Sequence, residues 1–323
     1  MDPTCRVCSH TAPHPRLRAR EMMFGLGDEH GYFRCSSCAC LQIERVPDDL
    51  SRYYPARYYS FSLDPAAVYG GPFRTWARTA RDRRAVLGEG LAGRLLLRRF
   101  PEPALESLRL LGVTRRSRVL DVGCGTGLHL YALQRLGFES LLGVDPFLPG
   151  DLFHAPALHV RAIPVHDLEG EGGWDVIMYH HAFEHVADPL EQLSTVARLL
   201  APGGGCLVRI PVSDSEAFER YGADWVQLDA PRHLHLHSRA SMTALAARAG
   251  LRVERVVSDS TGFQFWGSEQ YRRGVPLLAG EGPHDAWARS FFSARQLRDF
   301  EREARRLNAR GRGDQAVFLL RRR

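Results

Sequence analysis

The run Val119-Leu120-Asp121-Val122-Gly123-Cys124-Gly125-Thr126-Gly127 decides how this chain is read. An apolar stretch ends in an acid, and three glycines follow at alternate positions. Glycine accepts the positive φ values that a tight strand-to-helix turn needs, and it lets backbone at a helix N-terminus approach a ligand closely. A dinucleotide fingerprint, G-x-G-x-x-G, would put its third glycine at position 128, which is leucine here. The spacing is instead D-x-G-x-G-x-G. Taken alone, the glycines are also compatible with a plain tight turn.

Outward from that turn, strand and helix patterns alternate. Residues 118–123 read as a first strand, and a helix is expected from about 127 to 136. Further strands are expected at 141–145, 159–165, 175–179, 206–210, 251–257 and 316–320. Asp188-Pro189 marks a helix start, with aspartate as N-cap and proline at the first helical position. That helix should run to about Leu200 and be closed by Ala201-Pro202-Gly203-Gly204-Gly205. A further helix is expected over 241–249. The alternation predicts an α/β fold, a doubly wound Rossmann-like sheet of seven strands. It spans residues 116–323 with an insert at 260–314. Residues 46–115 read as a connector and helical cap, with an aromatic cluster and then an arginine-rich helical stretch over 73–100. Residues 1–45 read as a small separate module.

The 323 residues are 44% hydrophobic and 25% charged, as in an ordinary globular protein. The formal net charge is +6, and all 43 basic residues are arginine. A chain-wide absence of lysine reads as compositional bias rather than local design for nucleic acid, which is an unlikely partner; a small anionic acceptor fits better. No run approaches the roughly 18 apolar residues of a membrane span. The N-terminus lacks the basic start and apolar stretch of a secretion signal, so the cytoplasm is the expected location.

Asp145 closes the second strand, where a carboxylate can accept both hydroxyls of a ribose. Asp167 follows the third strand and is placed to take an adenine amino group. With these acids, the glycine run resembles the first motif of class I S-adenosylmethionine-dependent methyltransferases, over about residues 117–260. The resemblance implies that Gly123, Gly125 and Gly127 line the methionine moiety of S-adenosyl-L-methionine and that Asp121 faces its ammonium group. It also implies seven strands with the last antiparallel, a role that residues 316–320 fit.

After the fourth strand comes Tyr179-His180-His181-Ala182-Phe183-Glu184-His185-Val186-Ala187-Asp188-Pro189. Read literally, His181, Glu184 and His185 match the H-x-x-E-H pattern of some zinc peptidases. That pattern needs a helix, and here the helix begins only at Asp188. The stretch is similar to one in methyltransferases encoded with polysaccharide and natural-product genes. In zinc-bearing sugar C-methyltransferases a Glu-His pair at this point contributes the catalytic base. In ubiquinone-type O-methyltransferases a Glu-x-x-Glu-His segment binds magnesium, and this chain has His181 in place of the first glutamate. The expected catalytic set is His185 as base, Glu184 orienting it, and His181 beside them. The alternative is that Glu184 and His185 pair to cap the next helix.

Cys5-Arg6-Val7-Cys8 and Cys35-Ser36-Ser37-Cys38 form a C-x2-C…C-x2-C arrangement with 26 residues between the pairs. Without a secretion signal, such pairs read as metal ligands rather than disulfides. Four thiolates close a tetrahedral structural zinc site, with Cys40, His10 and His30 as bystanders. The sugar C-methyltransferases also begin with a cysteine-rich zinc module, which implies a role in walling off the active site. Pro231-Arg232-His233 again resembles the polysaccharide-cluster enzymes. Arg232 and His233 are read as substrate contacts, with Tyr58, Tyr59 and the aromatic residues of the insert as the wall; the alternatives are a structural Arg232 paired to a nearby acid and a satellite core formed by the insert's aromatic residues. The chain is thus expected to methylate a small molecule, a nucleotide-linked sugar or a polysaccharide precursor. One alternative is an RNA or protein methyltransferase recruited by the zinc module; another is a non-enzymatic binding scaffold.

Overall fold

A computed structural model describes residues 2–55, 61, 63–155, 157–168, 170–278 and 291–323. Three N-terminal strands, β1 (Arg16–Arg20), β2 (Glu29–Arg34) and β3 (Leu41–Ile43), form an antiparallel meander. Helices α1 (Pro65–Tyr69), α2 (Pro72–Leu87), α3 (Leu91–Arg99) and α4 (Pro103–Leu108) follow. The arginine-rich stretch expected to be helical is helical, as a hairpin of α2 and α3. Gly88 takes the left-handed conformation that ends α2, and Gly90 opens α3.

The larger sheet is built from β4 (Arg118–Val122), β5 (Ser140–Val144), β6 (Leu152–Ala155), β7 (Leu158–Arg161), β8 (Trp174–His180), β9 (Leu200–Pro211), β11 (Leu251–Ser258) and β12 (Gln315–Arg322). Between them lie helices α5 (Leu128–Arg135), α6 (Pro189–Leu199), α7 (Glu216–Tyr221), α8 (Arg239–Arg248), α9 (Phe263–Arg272) and α10 (Ala294–Ala309), and the short strand β10 (His235–Leu236). The order is β11-β12-β9-β8-β4-β5-β7-β6. Its centre is parallel, and β12 runs antiparallel to both neighbours, as expected of the last strand.

Eight strands, not seven, make this sheet. The extra one, β6, is a four-residue edge strand that pairs antiparallel with β7. A strand that short carries no period of its own; only its partner makes it one. The third expected strand also ends earlier, at Arg161, and residues Val165–Leu168 form a helical turn. Residues 201–205, expected as the turn that closes α6, are instead the start of β9, whose register slips opposite Trp174 and Val176. The cap reading holds: the Asp188 side chain accepts from the backbone N–H groups of Leu190 and Glu191.

One face of the large sheet is covered by α6, α8 and the cysteine-bearing N-terminal segment. Cys5, Val7, Cys35 and Cys38 share one apolar cluster with Leu193 and Met242. The other face is covered by α2, α4 and α5, through residues such as Val86, Leu108 and Leu133. The N-terminal meander is extended by β10, which pairs antiparallel with β3. The N-terminal segment is thus built into the rest of the fold. The aromatic residues of the insert are core as well: Phe265 packs with Tyr32 and Trp225, and Tyr271 with Val226. No described helix is long and apolar enough to cross a membrane.

Candidate active site

Two cavities open at the carboxyl ends of the parallel strands, and Gly123 and His181 line both. The first, about 350 Å³, is bounded by Asp121, the turn at residues 123–126, His129, His180 and Arg209. The second, about 370 Å³, is bounded by Tyr54, Asp145, Phe147, His166, His185 and Leu234, among others.

The turn has the shape its glycines predict. Gly123, Gly125 and Gly127 have φ of 72°, 52° and 83°. A Cβ on Gly123 would collide with Ala182 of the turn after β8, so glycine here lets those two segments meet. Gly127 caps α5 behind the cavities. Asp121 is 1% exposed, and its Oδ2 is buried without a hydrogen-bond partner. Burial, helped by the nearby Asp145, pushes its carboxyl well above the usual range. A cationic group in the first cavity would relieve that cost, which suits the ammonium of S-adenosylmethionine. Asp145 accepts from Gly125 N at 2.9 Å through Oδ2 and from Phe147 N at 3.0 Å through Oδ1. It still faces the second cavity with lone pairs to spare. Asp167 does not line either cavity: it is exposed, 3.7 Å from His166, and the wall there is Pro164, Val165 and His166.

The turn after β8 is anchored by His181, whose N–H donates to Arg209 O at 3.0 Å and whose φ is 52°, unusual for a residue with a side chain. Its Nδ1 lies 3.3 Å from Glu184 Oε1. Glu184 is fully buried, and burial pushes its pKa up. His181, then His233 and His185, outweigh this and hold it at about 2. The expected contact of Glu184 with His185 is replaced by this one with His181. His185 Nδ1 is instead 2.9 Å from the Arg232 carbonyl and 3.1 Å from the Tyr54 hydroxyl. A carbonyl only accepts, so Nδ1 carries the hydrogen and Nε2 is the basic nitrogen. The capping alternative falls away, because Asp188 caps α6.

Arg232 lines neither cavity. Its side chain is fully buried and bonds Glu21 at 2.9 Å, both oxygens of Asp229, and Tyr53 O at 3.2 Å. His233 is likewise set behind the site: its Nδ1 donates to Gln227 O at 2.8 Å, and its ring lies 4.8 Å from that of His185. Burial and His185 lower its pKa to about 4. The segment carrying both residues is a strap. Leu234 N donates to Glu184 O at 2.9 Å, and His235 Nδ1 to Val186 O at 3.0 Å. Tyr58 and Tyr59 lie outside the described residues. Tyr54, Phe147, His129 and Arg209 were not anticipated. Only Tyr54 carried a signal, as part of the aromatic cluster.

The four expected cysteine ligands do come together. Their sulfur atoms lie within 4.8 Å of one another, with Cys5–Cys38 and Cys8–Cys35 each at 3.6 Å. Tetrahedral thiolates about 2.3 Å from a zinc ion would stand about 3.8 Å apart, so the set fits such an ion. Gln42 donates to Cys5 Sγ at 2.9 Å, and Cys40, His10 and His30 are outside the quartet. Glu184, His185 and His233 form a second group whose ligand atoms lie within 4.8 Å of one another.

A glycine turn beneath an unpaired buried acid, at the carboxyl edge of this sheet, defines a class I S-adenosylmethionine-dependent methyltransferase domain. Residues 83–256, more than half of the chain, match the methyltransferase domain family, and the chain belongs to it. A ubiquinone biosynthesis O-methyltransferase of Cereibacter sphaeroides (strain KD131 / KCTC 12085) is 36% identical over 130 residues, covering 36% of this chain and 51% of that one. Its namesake from Xanthomonas oryzae pv. oryzae (strain PXO99A) is 33% identical over 180 residues, covering 48% and 73%. The matched region thus spans about half the length of the first relative. A crystal structure of an S-adenosylmethionine-dependent methyltransferase from Mesorhizobium loti is 17% identical, at TM-score 0.42, covering 69% of this chain and 99% of that one.

Proposed function

We propose that this chain transfers a methyl group from S-adenosylmethionine to a hydroxyl of a small-molecule acceptor held beside the turn at residues 181–186. The carrying observation is the Asp121 Oδ2, buried without a hydrogen-bond partner in the first cavity, with His185, its Nδ1 held by the Arg232 carbonyl, on the wall of the adjoining one. When bound, the cofactor supplies an electrophilic methyl group. Asp121 would hold its ammonium, Asp145 its ribose, and Phe147 with residues 164–166 would flank the adenine, in a cavity that Asp167 does not line. His185 Nε2 takes the acceptor's proton as the oxygen is methylated, while the Arg232 carbonyl holds the ring in place. Glu184 keeps His181 oriented between the two cavities.

The acceptor read from the sequence is a sugar, nucleotide-linked or part of a polysaccharide. A second reading, a phenol, is favoured by the apolar wall of Leu50, Tyr54 and Phe61, and by the relatives named for ubiquinone biosynthesis. Cys5, Cys8, Cys35 and Cys38 hold a structural zinc ion that folds the N-terminal segment. The strap joins that segment to the site: Ser238 Oγ donates to Cys38 O at 2.6 Å, and β3 pairs with β10.

Calorimetry with S-adenosylmethionine and with the Asp145→Ala variant tests the cofactor, and labelled methyl transfer to nucleotide sugars and to catechols tests the acceptor. Tight binding weakened by the substitution, followed by transfer to either panel, supports the reading. A folded protein that binds no S-adenosylmethionine sinks it. Metal analysis should find zinc in the purified protein and little in a Cys35→Ser variant.

A further inference from the structure

Five of the ten large apolar side chains exposed among the described residues fall in the hairpin of α2 and α3: Phe73, Trp76, Leu91, Leu95 and Phe100. Residues 72–100 also hold eight arginines against two acids, a formal charge equal to the +6 of the whole chain. The rest of the chain is therefore neutral on balance, and the basic character is concentrated here.

Helical geometry arranges these groups. Gly93 is the close-packing point of α3 on α2, because a Cβ there would collide with the Ala80 carbonyl. At 100° per residue, Leu91 and Leu95 fall on the opposite side, away from α2. They are 83% and 70% exposed. Arg94 and Arg98 flank them on one side and Arg99 on the other. On α2, Phe73 and Trp76 share the i, i+3, i+7 row with Ala80, so they project toward the same side. Their rings are 5.9 Å apart. None of Arg74, Arg94, Arg98 and Arg99 takes part in an ion pair among the described residues, whereas Arg81 pairs with Asp82 and Glu102.

An apolar stripe bordered by unpaired arginines is the pattern of a helix lying in a bilayer interface. A second copy of the chain would set two such basic faces against each other. RNA would leave the protruding leucines in water. We propose that the α2–α3 hairpin docks on an anionic membrane surface. Leu91, Leu95, Phe73 and Trp76 enter the boundary between headgroups and acyl chains, and Arg74, Arg94, Arg98 and Arg99 meet lipid phosphates. The helices lie on the bilayer and do not span it. Just past the hairpin, residues 102–104 line the first cavity, so docking sets that cavity at the lipid surface.

The test is co-sedimentation of the full chain with vesicles of phosphatidylcholine alone or mixed with phosphatidylglycerol. Binding is expected only to the anionic vesicles, weaker at high salt. A Leu91→Glu, Leu95→Glu double variant should lose roughly tenfold or more in affinity while keeping its melting temperature, since both sites are solvent-facing. An Arg94→Gln, Arg98→Gln variant should lose binding to anionic vesicles as well. The proposal is overturned if no vesicle retains the protein or if the leucine variant binds as well as the parent. It is equally overturned if those leucines mediate self-association without lipid, or if RNA is bound in place of vesicles.

Discussion

Asp121, within β4, and Arg232, just before β10, are each 1% exposed and each bring an ionisable group into the interior. Their surroundings differ in kind. Asp121 has a buried oxygen with no partner and a cavity in front of it. Arg232 spends its guanidinium on Glu21, Asp229 and a backbone carbonyl. Burying an unpaired charge is costly, so it is tolerated where something from outside completes it. A buried charge whose bonds are all made within the protein is architecture. Partner accounting, more than burial or position along the chain, separates the binding edge from the strap behind it.

The strongest challenge to this contrast is Arg232→Met. It leaves the Glu21 and Asp229 carboxylates buried without their cation and should cost about 3–5 kcal/mol in denaturant unfolding. An unchanged stability with a raised acceptor KM would return Arg232 to the binding site and dissolve the contrast. His185→Ala should lower methyl transfer by about 10²–10⁴-fold while S-adenosylmethionine still binds by calorimetry. Near-normal turnover would leave His185 without a catalytic role.

Asp121→Asn should weaken S-adenosylmethionine by about 10- to 100-fold, the loss of one charge-assisted hydrogen bond. It should not weaken the fold. The folded Asp121 holds its proton more tightly than the unfolded chain does, through burial and then Asp145. The stability it contributes is complete below the ordinary aspartate value of about 3.9 and is lost as pH rises through the raised folded value. Melting curves across that range should therefore find the variant gaining on the parent as pH rises toward neutrality. Cofactor affinity of the parent should rise over the same range, because a cation favours the ionised carboxylate. A variant less stable than the parent at neutral pH would mean that Asp121 has a structural partner after all.

Legibility followed the range of the interactions. The N-cap at Asp188 was readable because its side chain bonds N–H groups two and three residues away. The edge strand β6 was not, because its pairing with β7 alone defines it. In the site, the unpaired acid and the histidine turn were anticipated, but the group orienting His185 was misread. Adjacent residues after a strand point in different directions, and the strap reached the imidazole first.

Sequence by itself determined the turn at Gly123, the helix start at Asp188 and the cysteine quartet. Each depends on a property carried within a few residues: a positive φ, a missing N–H, or two thiols at fixed spacing. Only the tertiary structure decided that Pro231-Arg232-His233 supports the site from behind. The Glu21 and Tyr53 partners of Arg232 lie 211 and 179 residues away along the chain, and a contact at that separation leaves no local pattern to read.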